Sequence, residues 1–199
     1  MLAYQLKSEF ASFDLIAGID EAGCGPWAGP VVAAAVILPK GYQNEEINDS
    51  KQLTAACRER LFAQIQKDAL AIGVGVVEAI EIDRTNILMA TKAAMTIAIG
   101  QLQVKPDFLL IDAVKLVEVT IPQEAVIHGD ALALPIAAAS IVAKVHRDHL
   151  MVALHERHPE YRFDLHKGYG TALHQERLAR FGPLAGIHRF SYKPIKNYL

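Results

Sequence analysis

The chain has 199 residues, 52% of them hydrophobic, with 20 Lys and Arg against 22 Asp and Glu for a formal net charge of −2. That length suits one buried core, so a single domain over residues 1–199 is expected, with a basic C-terminal region from about residue 160. Cys24 and Cys57 lack metal-ligand spacing, no charged and apolar leader opens the chain, and the apolar runs at 30–38 and 131–143 are too short to span a bilayer as helices; a reducing cytoplasm and no membrane are expected.

In chain order, residues 15–20 and 31–38 are short apolar runs separated by "EAGCGPWAGP", which predicts a hairpin of two strands around a glycine-rich connection. Thr54 is an N-cap candidate for a helix whose apolar positions Cys57, Leu61, Phe62, Ile65, Ala69 and Leu70 recur at helical spacing. A strand at 71–77, a helix from Asp83 to about Leu102 and a buried strand "DFLLID" at 107–112 follow. That order favours a parallel pair joined by a right-handed crossover, in an α/β fold with a mixed sheet. Beyond a short strand at 125–128, the apolar spacing from Ile136 to His158 predicts a long, partly buried helix. Thr171 and Gly182 bracket a shorter one as N-cap and C-terminal glycine. The tail from Pro183 carries little periodicity and receives no assignment.

Four acids fall at or just beyond predicted strand ends: Asp20 and Glu21, Asp112, and Asp130. Sheets of this kind deliver side chains to a crevice at the carboxyl ends of their strands, so the acids can converge. Adjacent strand residues point to opposite faces, so Asp20 and Glu21 share a site only if the chain turns, and Ala22-Gly23 offers the place. Singly, each acid reads as a turn or cap residue; as a set they point to function. Clustered carboxylates repel unless a cation neutralises them, and oxygen-only ligands favour Mg²⁺ or Mn²⁺ over Zn²⁺. Two such ions about 3.5–4 Å apart stabilise the attacking and leaving oxygens of an in-line phosphoryl displacement.

Other patterns carry less. His146, His149, His155 and His158 cannot close on one ion, because His146 and His155 face about opposite ways on a single helix; a solvated helix face is the expectation. No H-E-x-x-H occurs, and Ser140 has no G-x-S-x-G context. Asp148 pairs with a nearby base or flanks the site. The small residues at 23–29 suit either close approach of backbone to a ligand or a structural hairpin loop. Lys51 reads as a phosphate contact or a surface lysine, and Tyr169 in "HKGYGT" as a stacking ring or a packing one. Residues 144–199 hold ten Lys and Arg against five Asp and Glu, and residues 1–143 ten against seventeen. From this asymmetry a solvated basic surface and a polyanion footprint stand level.

Together, "GIDEAGCGPWAGPVVAAAVILP", "NDSKQLT", "FLLIDA", "HGDALALPIAAASIVAKVHRDHLM" and "YRFDLHKGYGTALHQERLARFGP" closely resemble bacterial ribonuclease HII, in order from about Ile16 to Tyr192. The resemblance implies a ribonuclease H-like fold: a central mixed β-sheet flanked by helices, with a helical C-terminal region that binds substrate. It implies an endonuclease acting on the RNA of RNA–DNA hybrids and at single ribonucleotides in duplex DNA, leaving 3′-hydroxyl and 5′-phosphate ends. Metal-binding and catalytic roles carry over to Asp20, Glu21, Asp112 and Asp130. Recognition of the 2′-hydroxyl carries to Gly23, Cys24 and Gly25, and stacking on the following deoxyribose to Tyr169. A monomer is the family expectation, and the tail "FSYKPIKNYL" is left open between nucleic acid, a replication clamp and no partner. Where the family usually has Gly-Arg-Gly, this chain has Gly23-Cys24-Gly25, and Trp27 replaces the more usual Leu. The rivals are a different two-metal nuclease, which would cut all-DNA duplexes, and a non-catalytic nucleic-acid-binding relative.

Overall fold

The computed structural model describes residues 12–199. Five strands, β1 (Ile16–Ala22), β2 (Val31–Ile37), β3 (Ala71–Val77), β4 (Phe108–Asp112) and β5 (Gln123–Val126), form one sheet in the order β3-β2-β1-β4-β5. β1 to β3 are antiparallel neighbours, whereas β4 runs parallel to both β1 and β5, so the sheet is mixed as expected. The predicted hairpin is present in register, with Asp20 opposite Ala34 and Glu21 opposite Ala33. The crossover reading holds for direction, since β3 and β4 run parallel, but not for adjacency. The strand that follows β3 passes over β2 and β1 to pair with β1, because β2 already fills the inner edge of β3.

Helices cover both faces. Helix α1 (Ala55–Asp68) begins at Thr54, whose hydroxyl accepts from Cys57 N, and packs Leu61 and Ile65 inward. The single helix predicted from Asp83 is two, α2 (Ala79–Arg84) and α3 (Ile87–Gly100). Asn86 makes the break: its side chain accepts from Met89 N, a capping bond that starts a new helix and outweighs the continuous apolar spacing.

The short α4 (Gly129–Leu132) leads into α5 (Leu134–Arg157), which starts two residues earlier than predicted, with Pro135 in its first turn. From Leu134 to Ala143 every α5 residue is buried, since this half lies between the sheet and α1. Gly18 permits the approach. A Cβ there would stand 2.0 Å from the Pro135 carbonyl carbon, so only glycine lets β1 lie against the start of α5.

Side chains of β1 and β4 alternate accordingly. Ala17, Ile19, Leu109 and Ile111 enter a core with α3, while Gly18, Phe108 and Leu110 face α5.

Beyond α5 come a 3₁₀ turn at Pro159–Tyr161, α6 (Phe163–His166), α7 (Ala172–Phe181) and α8 (Lys193–Lys196). Thr171 caps α7 by accepting from His174 N, and Gly182 ends it at φ 72°, as predicted. The unassigned tail is ordered by the glycine-rich loop: Gly29 N donates to Ile187 O at 2.8 Å, and Arg189 N to Trp27 O at 2.8 Å. Asp83 holds it from the other side, accepting from Phe190 N and Ser191 N. No helix among the described residues is long and apolar enough to cross a membrane.

Candidate active site

Parallel pairing of Ile19 with Ile111 puts Asp20 and Asp112 on the next rung, neighbours on the α5 face at the carboxyl ends of their strands. After β5 the chain reverses through His128, at φ 57°, and α4 brings Asp130 to the same end. Gly129 N donates to Asp112 Oδ1 at 2.8 Å and ties the two segments together.

Glu21 arrives differently from the expectation. β1 does not turn after Asp20 but stays extended through Ala22, so the paired acids do point to opposite faces, Asp20 toward α5 and Glu21 toward α3. They meet at the carboxyl end of β1 instead. Asp20 folds back so that its Oδ1 accepts from Glu21 N at 2.6 Å. Glu21 Oε1 accepts from the Cys24 thiol at 3.4 Å, and Thr91 Oγ1 of α3 lies 3.4 Å from the same sulfur.

Electrostatics mark the cluster. Burial, then the charges of Glu21 and Asp112, hold Asp20 well above the usual carboxylate range. Burial raises Glu21 and Asp112 as well, with repulsion from Asp112 on the first and from Asp130 on the second. Lys51 Nζ donates to Asp130 Oδ2 at 3.0 Å, which raises the lysine's own pKa. This ammonium also acts on Glu21 and Asp112. Among the described residues no three His, Cys, Asp or Glu side chains stand as a ready-made ion cage; each acid is turned onto the local donor just named. The donor set nevertheless fits a hard divalent cation: oxygen ligands only, on buried or half-buried acids whose mutual repulsion such a cation would offset. The helix histidines form no such group, and His149 bonds Glu59 at 2.8 Å. Asp148 pairs with Lys144 at 2.7 Å.

The glycine-rich loop, residues 23–30, adjoins the acids and rests on two arginines buried to 0% exposure. Arg189 donates to the carbonyl oxygens of Gly23 (2.6 Å), Cys24 (3.0 Å), Gly29 (2.9 Å) and Pro30 (3.2 Å). Arg147 donates to those of Ala28 (3.1 Å), Pro30 (2.9 Å) and Lys167 (3.0 Å). Neither forms a salt bridge with a carboxylate among the described residues; backbone carbonyls, most of them in the loop, and the Tyr192 hydroxyl, which accepts from Arg189 at 2.9 Å, satisfy both charges. Burial and the neighbouring Arg189 pull Arg147 down to about 10, which leaves it charged at neutral pH. In a trans peptide the N–H lies opposite the C=O. Carbonyls of Gly23 and Cys24 aimed at Arg189 therefore turn the amides of Cys24 and Gly25 away from it. Burial pushes the Cys24 thiol up to about 11, so it is a neutral donor to Glu21.

Tyr169 lies beside this loop. The residue is 43% exposed, with Lys144 Nζ and Arg147 Cζ each 5.9 Å from its ring centroid. A Cβ on Gly25 would come within 3.9 Å of the ring. The structure thus gathers the four acids and Lys51 into one cluster, and Gly23, Cys24, Gly25 and Tyr169 into an adjoining one, joined through the Cys24–Glu21 contact. Arg147, Arg189, Thr91 and Tyr192, whose hydroxyl donates to Cys24 O at 2.7 Å, were not singled out from sequence. Arg147 had a signal: a cation on the apolar stripe of α5, four residues from both Ala143 and Met151.

A mixed five-stranded sheet with helices on both faces and acids gathered at strand ends is the ribonuclease H-like architecture. The family model described as Ribonuclease HII matches residues 17–195. The chain is 53% identical over 181 residues to the ribonuclease HII of Syntrophus aciditrophicus, covering 91% of this chain and 85% of that one. It is 49% identical to that of Chlamydia pneumoniae, covering 98% and 91%. Among solved structures, the ribonuclease H2 of Pyrococcus horikoshii superposes with a TM-score of 0.77 at 26% identity, covering 92% of this chain and 96% of that one. The ribonuclease HII solved in its PCNA complex from Archaeoglobus fulgidus gives 0.76 at 27%, covering 90% and 95%. The chain belongs to the ribonuclease HII family. It is a ribonuclease H, an endonuclease acting on RNA within RNA–DNA hybrids.

Proposed function

We propose that the enzyme also cuts at single ribonucleotides embedded in duplex DNA, as a monomer, leaving 3′-hydroxyl and 5′-phosphate ends. One observation carries this reading: the loop whose amides are turned outward adjoins the acid cluster directly, with Cys24 bonded to Glu21. A sugar held at the loop therefore sets its neighbouring phosphate at the acids. The 2′-hydroxyl, both donor and acceptor, is the group that separates RNA from DNA for the outward amides of Cys24 and Gly25.

Asp20, Glu21, Asp112 and Asp130 would hold Mg²⁺ or Mn²⁺, which when bound supplies a water of lowered pKa and charge stabilisation at the phosphate. Asp20 and Asp112 present their carboxylates side by side from adjacent strands, and Asp130 closes the site from α4. Lys51, the cation on Asp130, contacts a substrate phosphate. Tyr169 stacks against the deoxyribose that follows the ribonucleotide, and the C-terminal region from about residue 160 supports the duplex.

The test uses DNA duplex carrying one ribonucleotide, with Mg²⁺ or Mn²⁺, beside an all-DNA duplex. Cleavage of the first alone is expected, and Asp112→Asn should abolish it while the protein stays folded and binds hybrid. Comparable cutting of all-DNA duplex, or near-normal turnover by Asp112→Asn, would overturn the reading.

A further inference from the structure

Behind Tyr169 lie three buried histidines that the chemistry above does not use. His166 and His174 are stacked, ring centroids 4.2 Å apart at 12°, and His188 lies 5.3 Å from His174. Exposure is 6% for His166 and 0% for the other two.

Their protons are fixed by bonding. A backbone N–H can only donate, so His188 Nδ1, which Leu184 N approaches at 2.8 Å, is an acceptor and the proton sits on Nε2. That Nε2–H donates to His174 Nε2 at 3.1 Å, which leaves the His174 proton on Nδ1, donating to the Tyr169 carbonyl at 3.0 Å. His166 repeats the logic: Gly168 N donates to its Nδ1 at 3.1 Å, and its Nε2–H donates to Tyr161 O at 2.8 Å. The result is a directed chain from the tail, through two imidazoles, to the backbone of Tyr169.

We infer that His174, locked in its Nδ1–H tautomer by His188, is a positioning residue that orients Tyr169 for the sugar beyond the ribonucleotide. This rests on the stacking role proposed for Tyr169. The Tyr169 N–H donates to His166 O at 2.9 Å, so with its carbonyl taken by His174 and Thr171 N the residue's backbone is held at both ends, and that restricts its ring rotamers. The Trp27 ring fills the space a side chain at Gly170 would occupy, so the recognition loop braces the same turn. Burial, followed by the charge of a neighbouring histidine, lowers His174 to about 4 and His188 to about 3, so both are neutral at working pH, as the chain requires.

The experiment measures kcat and KM on DNA carrying one ribonucleotide for His174→Phe, His174→Asn, Tyr169→Ala and the double variant Tyr169→Ala/His174→Phe. Phenylalanine keeps a ring in the stack without the donor; asparagine keeps an amide donor near the Nδ1 position. Expected is a rise of about tenfold in KM for His174→Phe with kcat nearly unchanged, rescue by His174→Asn, and no further rise in the Tyr169→Ala background. A normal KM in His174→Phe, or full additivity with Tyr169→Ala, overturns the role of His174 while leaving Tyr169 in place. An unchanged KM in Tyr169→Ala sinks the stacking role itself, and the positioning role with it. Nitrogen-15 spectra of the wild-type protein need no variant to fold: His174 protonated on Nδ1, with His166 and His188 on Nε2, is expected, and any other form of His174 refutes the proposal.

Discussion

Protonating the histidine chain from Leu184 to Tyr169 breaks it, so acid should weaken the fold by a calculable amount. An unfolded histidine titrates near 6.5, whereas burial holds His188 at about 3 and His174 at about 4. As pH falls the unfolded state takes up the proton first, so the stability these groups confer is complete above about 6.5 and drains away toward the folded values. Both folded values lie below pH 5, so between pH 7 and pH 5 each histidine withdraws about 2 kcal/mol. The acids act oppositely: Asp20, Glu21 and Asp112 have raised values, and their strain is relieved as pH drops through them.

His188→Asn separates the two contributions, because the amide oxygen still accepts from Leu184 N but cannot be protonated. Urea unfolding in EDTA, followed by fluorescence of the single tryptophan, Trp27, should show wild type losing about 2 kcal/mol more than His188→Asn over this interval. For a chain of this size that is a difference of about 4–8 °C in Tm. The acids cancel in the comparison. Identical pH dependence in the two proteins would mean that His188 is protonated within the fold, and the tautomer chain would be wrong.

Asp20→Asn should abolish cleavage yet stabilise the metal-free protein by about 1–2 kcal/mol, since it removes a repelling charge while Oδ1 keeps its bond to Glu21 N; a lower Tm in EDTA would contradict the repulsion. Gly18→Ala drives a methyl into the Pro135 carbonyl and should cost about 3 kcal/mol or more, read as a fall in Tm; a neutral result would deny the close packing of β1 on α5. Cys24→Arg should strengthen hybrid binding at moderate salt and steepen the slope of log K against log salt by about 0.9, the equivalent of one phosphate. Equal slopes by fluorescence anisotropy would show that the guanidinium stays on Glu21.

Local signals carried much of the architecture. Thr54 and Thr171 start helices because their hydroxyls reach amides three residues on, a contact settled within a few residues of chain. The acids at 20, 112 and 130 were legible as strand-end residues for a similar reason. What escaped depends on partners far along the chain. The neighbour of β4 is decided by which sheet edge remains free once the hairpin has closed. Glu21 reaches the site past the carboxyl end of the central strand, although strand alternation alone placed it on the wrong face. Asn86 was overlooked because one side-chain cap interrupts an apolar pattern that continues across it. The tail lacks periodicity because it folds against loop carbonyls rather than on an apolar face of its own.

In the glycine-rich loop, the carbonyls of Gly23 and Gly29 find a donor in Arg189, which lies 166 residues after the first and 160 after the second. During synthesis the strand bearing Asp20 and Glu21 emerges early, yet the carbonyls of Gly23 and Cys24 meet their guanidinium only once Arg189 has followed. All four acids are present once Asp130 has emerged, so the loop that adjoins them takes its shape after they do. A chain cut before Arg189 would keep its carboxylates but leave the Gly23 and Cys24 carbonyls without the donors that hold them.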